Sequence, residues 1–300
     1  MPAPAHFSAV PDLAKQITTF STTATFPEAL DTAILDYRED IEAFATIVAA
    51  SADTGDLLRR IRETPMAADN RMSLLKLFRR CVSPVCDTEM TKKIKKIPTA
   101  QIIEGFGDTF KSIDVLKAQF KMPLTEAHVV ALSLLLAEND NRGQSGYALT
   151  GAFFDWFNAQ GHLSPLEALG PRGAGRDIEL NTLLPDFPLG YPCDLIIRAK
   201  GDSSIKAVGF ARYDSTRGGS QSDDRTGGNA NKVDKAREYQ REKGTSFRLL
   251  FLSDGPGLLH GDTLEESCRL DGMLDGAVRV TTLKLAPSRV TLPWLMGNAE

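Results

Sequence analysis

The chain has 300 residues, 42% of them hydrophobic and 25% charged, with a formal net charge of −4. This balance predicts a soluble globular protein of one large domain or two ordinary ones. No apolar run approaches the roughly 18 residues a membrane-spanning helix needs. The total charge carries no nucleic-acid signature, but its distribution is uneven: Arg71 to Lys121 holds 11 basic and 5 acidic residues, and Pro171 to Gly244 holds 13 and 11. A basic patch on an acidic protein fits an enzyme that meets a polyanion on one face, although for the lysine run alone a solvated helix face fits equally well.

The opening residues, MPAPAHFSAVPDLAK, contain no basic region followed by an apolar core, so no secretory signal is expected. Residues 1–70 read as helical. Ala29, Leu30, Ala33, Ile34, Tyr37, Ile41, Phe44 and Ile47 recur at helical spacing, and Pro27 suits a first helical position. Asp56 to Glu63 is a second amphipathic segment. Asn70 is expected to cap a helix over Met72 to Cys81, and Thr88 to Ile97, with Lys92, Lys93, Lys95 and Lys96, reads as a basic helix or arm suited to a phosphate backbone. The four cysteines, Cys81, Cys86, Cys193 and Cys268, form no paired framework and point to a reducing, cytoplasmic setting; Cys81 and Cys86 lack the second half of a zinc site. Pro123 to Glu138 is the clearest helix, residues 139–148 a polar loop, and Thr150 to Gln160 a compact aromatic helix better suited to core packing than to a helix-turn-helix.

GPRGAGRDIEL, at 170–180, is glycine-rich but has no phosphate-binding lysine motif, which argues against a nucleotide-phosphate enzyme. Arg172 and Arg176 in it are suited to a DNA phosphate, and Asp177 and Glu179 are expected to project toward the hairpin that follows. That hairpin is the centre of the sequence. Leu195–Ile197 and Ile205–Phe210 are apolar runs across a Gly-Asp-Ser turn, so they read as antiparallel strands. Asp194 then lies across from about Phe210, and Arg212 and Asp214 share Phe210's face. Carboxylates gathered at one end of a hairpin repel unless a divalent cation lies between them. Ser215 to Asn231 is polar and glycine-bearing and reads as a long functional loop. Lys232 to Lys243 reads as a charged helix stopped by Gly244, Phe247 to Leu252 as a strand, Leu264 to Leu274 as a weaker helix, and Ala277 to Leu285 as a strand. The order predicts an α/β mixed sheet flanked by helices over residues 146–300, with a mainly helical region over 1–145.

With Pro192-Cys193-Asp194 and the segments GPRGAGRDIEL, YPCDLIIRA, GFARYDSTRGGSQSDDRTGG and FLSDGPGLLHGD, residues 145–285 resemble type II restriction endonucleases of the PD-(D/E)XK nuclease superfamily. The resemblance implies a restriction-endonuclease-like core and Mg²⁺-dependent hydrolysis of double-stranded DNA at a specific site. It further implies a homodimer, a cytoplasmic location, and a cognate DNA methyltransferase in the same system without direct contact. It assigns Asp194, Asp214 and Glu179 as metal ligands, with Arg212 as the catalytic cation. It makes Arg172, Arg176, Arg217, Gln221, Arg225, Asn229 and Lys232 DNA contacts, with the 1–145 region as an arm or subdomain. The chain departs from the family where an acid-x-lysine motif is expected and Phe210-Ala211-Arg212 stands instead. Arginine stays protonated and cannot act as a base. The missing acid is left to Asp214 or, second, to Asp223 or Asp224. This departure also motivates the alternative of a non-catalytic DNA-binding protein on the same scaffold.

Overall fold

The computed structural model describes residues 5–20, 24–137, 144–173, 175–215 and 221–298, with the backbone alone over 221–227. Backbone proximity divides the chain into two compact units, residues 23–141 and residues 1–22 together with 142–300.

The 23–141 unit is helical. In Glu28–Ala50 the buried residues are Ala33, Tyr37, Ile41, Phe44, Ala45 and Val48, a stripe at helical spacing that packs on Glu126–Ala137. Thr54–Glu63 begins where the Asp53 carboxylate accepts from the Asp56 N–H at 2.7 Å, and it buries Leu57, Leu58 and Ile61 in the same core. Two expectations change here. Ala68–Cys81 starts before Asn70, whose amide instead donates to Asp40 at 3.0 Å. The basic helix stops after Thr88–Thr91, and the lysines that follow occupy a compact turn.

The other unit is built on a sheet ordered β1 (Leu166–Leu169), β4 (Leu195–Ala199), β5 (Ile205–Tyr213), β6 (Arg248–Asp254) and β7 (Val278–Thr281). β1 to β5 run antiparallel through β4, whereas β5, β6 and β7 are parallel neighbours. A separate antiparallel pair joins β2 (Ile178–Glu179) to β3 (Pro192–Cys193). The mixed α/β expectation therefore holds. Both faces of the sheet are covered, as parallel strands require. Ile196, Val208, Phe210, Leu249 and Phe251 meet Val233, Ala236 and Tyr239 of the Gln221–Lys243 helix. Leu195, Ile197, Ala207, Leu250 and Leu252 meet Leu149, Phe153, Phe154 and Phe157 of Gln144–Ala159.

Several sequence expectations shift in this unit. The helix read as starting at Lys232 begins at Gln221, inside the stretch read as a loop, because packing of its C-terminal half overrides two poor helix formers, Gly227 and Gly228. The later elements contract to a helix at Gly261–Leu270 and a strand at Val278–Thr281. Glu179 stands on the two-residue strand β2 and not on a helix.

The first twenty residues are not a helical region either; they are tied into the sheet unit by buried carboxylates. Asp254 accepts from the N–H groups of Thr18, Gly255 and Leu283 at 2.8, 2.8 and 2.9 Å. Asp271 accepts from Phe7 N–H at 2.8 Å, Val280 N–H at 2.9 Å and the buried Arg289 guanidinium at 2.6 Å. Gly255, at φ +97°, lies so close to the end of β5 that a Cβ there would meet the Asp214 carbonyl oxygen at 2.5 Å. Gly255→Ala combines a left-handed backbone with a clash against main chain. We expect it to cost at least about 2 kcal/mol, read as a lower urea midpoint than wild type; an unchanged midpoint would show that the turn after β6 is not held against β5.

Candidate functional site

The hairpin puts Asp194 where its register requires. Leu195 faces Gly209 and Ile196 faces Val208, so the next position brings Asp194 level with Phe210. The Asp194 N–H donates to the Gly209 carbonyl at 3.1 Å, and the Asp194 Oδ2 accepts from the Ala211 N–H at 2.9 Å. The turn is built as its composition implies: Asp202 accepts from the Ser204 N–H and hydroxyl at 2.9 and 2.6 Å. On the other flank Gly170, one residue past β1, approaches so closely that a Cβ would meet the Asp194 carbonyl oxygen at 2.4 Å. A side chain there would push the 170–177 segment away from the strand.

Asp194, Phe210, Arg212, Asn229, Lys232 and Ser253, with Gly228, Ala211 and Phe251, line an open cavity of about 280 Å³ beside the ends of β5 and β6. Parallel register pairs Phe210 with Phe251 and Arg212 with Ser253, so these four residues follow from strand alternation. The helix supplies Gly228, Asn229 and Lys232, one turn apart, while Val233 and Ala236 seat it on the sheet. The buried Tyr191 hydroxyl donates to the Lys232 carbonyl at 2.9 Å and fixes the helix at that point. Nothing in the residue spacing marks Tyr191 for this positioning role, and only the long-range hydrogen bond reveals it.

Lys232 is a second cation on the cavity wall, beside Arg212. Its Nζ lies 3.9 Å from the centroid of Phe210, the residue standing where an acid is expected. Burial lowers the Lys232 pKa, and Asp194 acts to raise it. Burial raises the Asp194 carboxyl pKa; the Ala211 hydrogen bond lowers it, Asp177 raises it and Lys232 lowers it. Each charged form is thus destabilised by its surroundings and supported by the other.

The remaining expected residues are distributed differently. Arg212 does share Phe210's face, but it is engaged with Asp214, Nε and Nη2 reaching Oδ1 at 2.8 and 2.6 Å. Asp214 is buried, its N–H donating to the Asp254 carbonyl, and it does not line the cavity. Glu179 accepts from the Tyr191 N–H at 3.1 Å. Arg172 pairs with Asp155 at 2.7 Å and lies over the Phe154 ring, while Arg176 is exposed. Asn229 donates to Glu266 at 3.0 Å. Arg217 lies outside the described residues, as do the side chains of Gln221, Asp223, Asp224 and Arg225. Asp177, exposed, acts electrostatically on Asp194, Cys193 and Lys232 but does not line the cavity.

Among the described residues no group of three or more His, Cys, Asp or Glu is arranged to hold a metal ion. Mg²⁺ binds through one or two carboxylates and takes its other oxygens from water and substrate phosphate; Asp194 is the carboxylate on the cavity wall that would hold it. Compared with family models, characterised proteins and solved structures, the chain has no match.

Because Lys232 offsets the burial of Asp194, Lys232→Met is expected to move the Asp194 pKa further up. The raised value means that the folded chain binds this proton more tightly than the unfolded chain. The penalty for the charged carboxylate is therefore full above the raised pKa and relieved as pH falls through it. In Lys232→Met that relief begins at higher pH, visible by carboxyl ¹³C NMR titration. An unmoved Asp194 titration would show that the ammonium does not act on it.

Proposed function

We propose that the sheet unit is a restriction-endonuclease-like core and that the chain is a site-specific, Mg²⁺-dependent endonuclease of double-stranded DNA. The observation that carries this reading is that Asp194 and Lys232 line one open cavity at the strand ends. Both groups are half-buried, and burial shifts the pKa of each, as is common for groups tuned for chemistry.

In this reading Asp194 would hold Mg²⁺, which would supply charge neutralisation at the phosphate and activation of the attacking water. Lys232 places its ammonium beside the scissile phosphate and stabilises the charge that builds there. Unlike Arg212, it can also exchange a proton, and its lowered pKa brings that exchange closer to neutrality. Arg212 is a positioning residue: its bond to Asp214 fixes the end of β5 and leaves a positive edge on the cavity wall. Gly228 lets the helix backbone stand open beside the cavity, leaving space for a phosphodiester. Asn229, Arg172, Arg176, Arg217, Gln221 and Arg225 remain the proposed DNA contacts. A symmetric site cut on both strands calls for a homodimer. The same reading places the protein in the cytoplasm, within a restriction-modification system.

A second reading, a DNA-binding protein without catalysis, is favoured by one specific feature. Phe210, only 5% exposed, fills the place of the strand acid. Digestion of mixed plasmid and phage DNA with Mg²⁺ and with EDTA separates the two. The nuclease reading expects discrete fragments with Mg²⁺ alone. It further expects Asp194→Asn and Lys232→Met each to lower cleavage by roughly 10²-fold or more, with duplex binding in EDTA retained. Binding without any metal-dependent cutting would establish the second reading, and full cleavage by Asp194→Asn would overturn the first.

A further inference from the structure

The lysine-rich turn of the 23–141 unit is held in a way that its solubility alone does not require. Arg62 is 1% exposed and spans the turn from beneath: Nε donates to the Thr91 carbonyl at 2.8 Å and Nη2 to the Ile97 carbonyl at 2.6 Å. These two carbonyls flank Lys92–Lys96. Between them the chain closes on itself, with Ile94 N–H donating to Lys92, and Lys96 and Ile97 N–H both donating to Lys93, at 2.9 to 3.0 Å. Met90 and Ile97 pack against the helical core at either end. A guanidinium buried in an apolar core is costly, and one of its nitrogens, Nη1, is buried without a hydrogen-bond partner. That cost is spent on fixing five residues, four of them lysine.

Lys92 is engaged by Glu89, whereas Lys93, Lys95 and Lys96 are exposed and form no ion pair among the described residues. Three ammonium groups fixed on one short turn repel each other, and a row of phosphates relieves that repulsion while releasing counterions. A lipid surface fits less well, because the residue between these lysines, Ile94, is half-buried and no exposed large apolar side chain lies within 92–96 to enter a bilayer. We propose that this turn is a preformed, sequence-independent contact for the phosphate backbone of duplex DNA. The choice of DNA as the polyanion rests on the nuclease reading; the existence of a polyanion contact does not.

The test uses the full chain, with EDTA throughout so that cutting plays no part. Fluorescence anisotropy with a labelled duplex of about 30 base pairs is recorded across a salt series for the wild type and for a triple variant, Lys93→Gln, Lys95→Gln and Lys96→Gln. Far-UV circular dichroism and melting should be unchanged, since all three side chains are exposed. The triple variant is expected to bind at least about tenfold more weakly and to lose about 2 to 3 from the slope of log K against log salt, close to one per phosphate contact. The matching lysine-to-arginine variant should restore both. An unchanged slope in the glutamine variant would overturn the proposal, as would a wild type that fails to bind duplex. So would loss of binding to phosphatidylserine vesicles with duplex binding intact. Binding is read here in EDTA and without cutting, so failure of the cleavage reading remains distinct from failure of this one.

Discussion

The sheet of the 1–22 and 142–300 unit is buried on both faces, and that constraint decides where charge can stand on it. Along β5, Ala207 and Val208 point into opposite cores, and β6 repeats the pattern with Leu249 and Leu250. A charged side chain in the middle of either strand would be dehydrated on whichever face it chose. Polar groups therefore gather at the strand ends: Arg212 and the buried Asp214 at the end of β5, Ser253 and the buried Asp254 at the end of β6, and Asp194 just before β4. In open α/β sheets ligands collect outside the carboxyl ends of strands for this reason, and the cavity lies there.

The parts of this arrangement that were legible in the sequence are those set by short-range periodicity. Alternation across the Leu195–Phe210 hairpin gives the register that brings Asp194 level with Phe210, and the same alternation puts Arg212 and Asp214 on one face. What was not legible depends on partners distant in the chain. The helix begins at Gln221 although Gly227 and Gly228 argue against it, because Val233, Ala236 and Tyr239 are anchored on the sheet. The N-terminal residues join the sheet unit through backbone N–H groups of Phe7 and Thr18, and a backbone donor leaves no trace in residue identity. The strand that carries Glu179 was not legible either: two residues are too short for any periodicity to identify.

Lys232 illustrates how position along the chain and position in space come apart. Read within its helix, it is one of several cations in a charged run, and Lys235 and Arg237 look equivalent to it. In three dimensions Lys232 differs from both, since it lies three residues after Asn229 on the helix face that closes over Phe210. The strand position that carries the arginine cannot serve the same purpose. Arg212 is held by a carboxylate two residues away, and its planar guanidinium is suited to that fixed bond, whereas Lys232 carries a flexible ammonium.

The buried and half-buried acids of this unit separate into two kinds. Asp254 and Asp271 are surrounded by donors. Each accepts from backbone N–H groups belonging to distant segments, and Asp271 is also met by Arg289. Such carboxylates hold chain segments together, and their environment matches their charge. Asp194 has a different environment. It receives the Ala211 N–H, yet burial still raises its pKa, and its other support is an ammonium that burial is itself driving toward neutrality. A carboxylate needed only for structure would be better served by further amide donors, as Asp254 is. An acid short of donors and an ammonium short of acceptors beside an open cavity destabilise the fold, and they have capacity to spare for a ligand that brings its own charge. The phosphodiester proposed for this site, with a divalent cation, is a ligand of that kind.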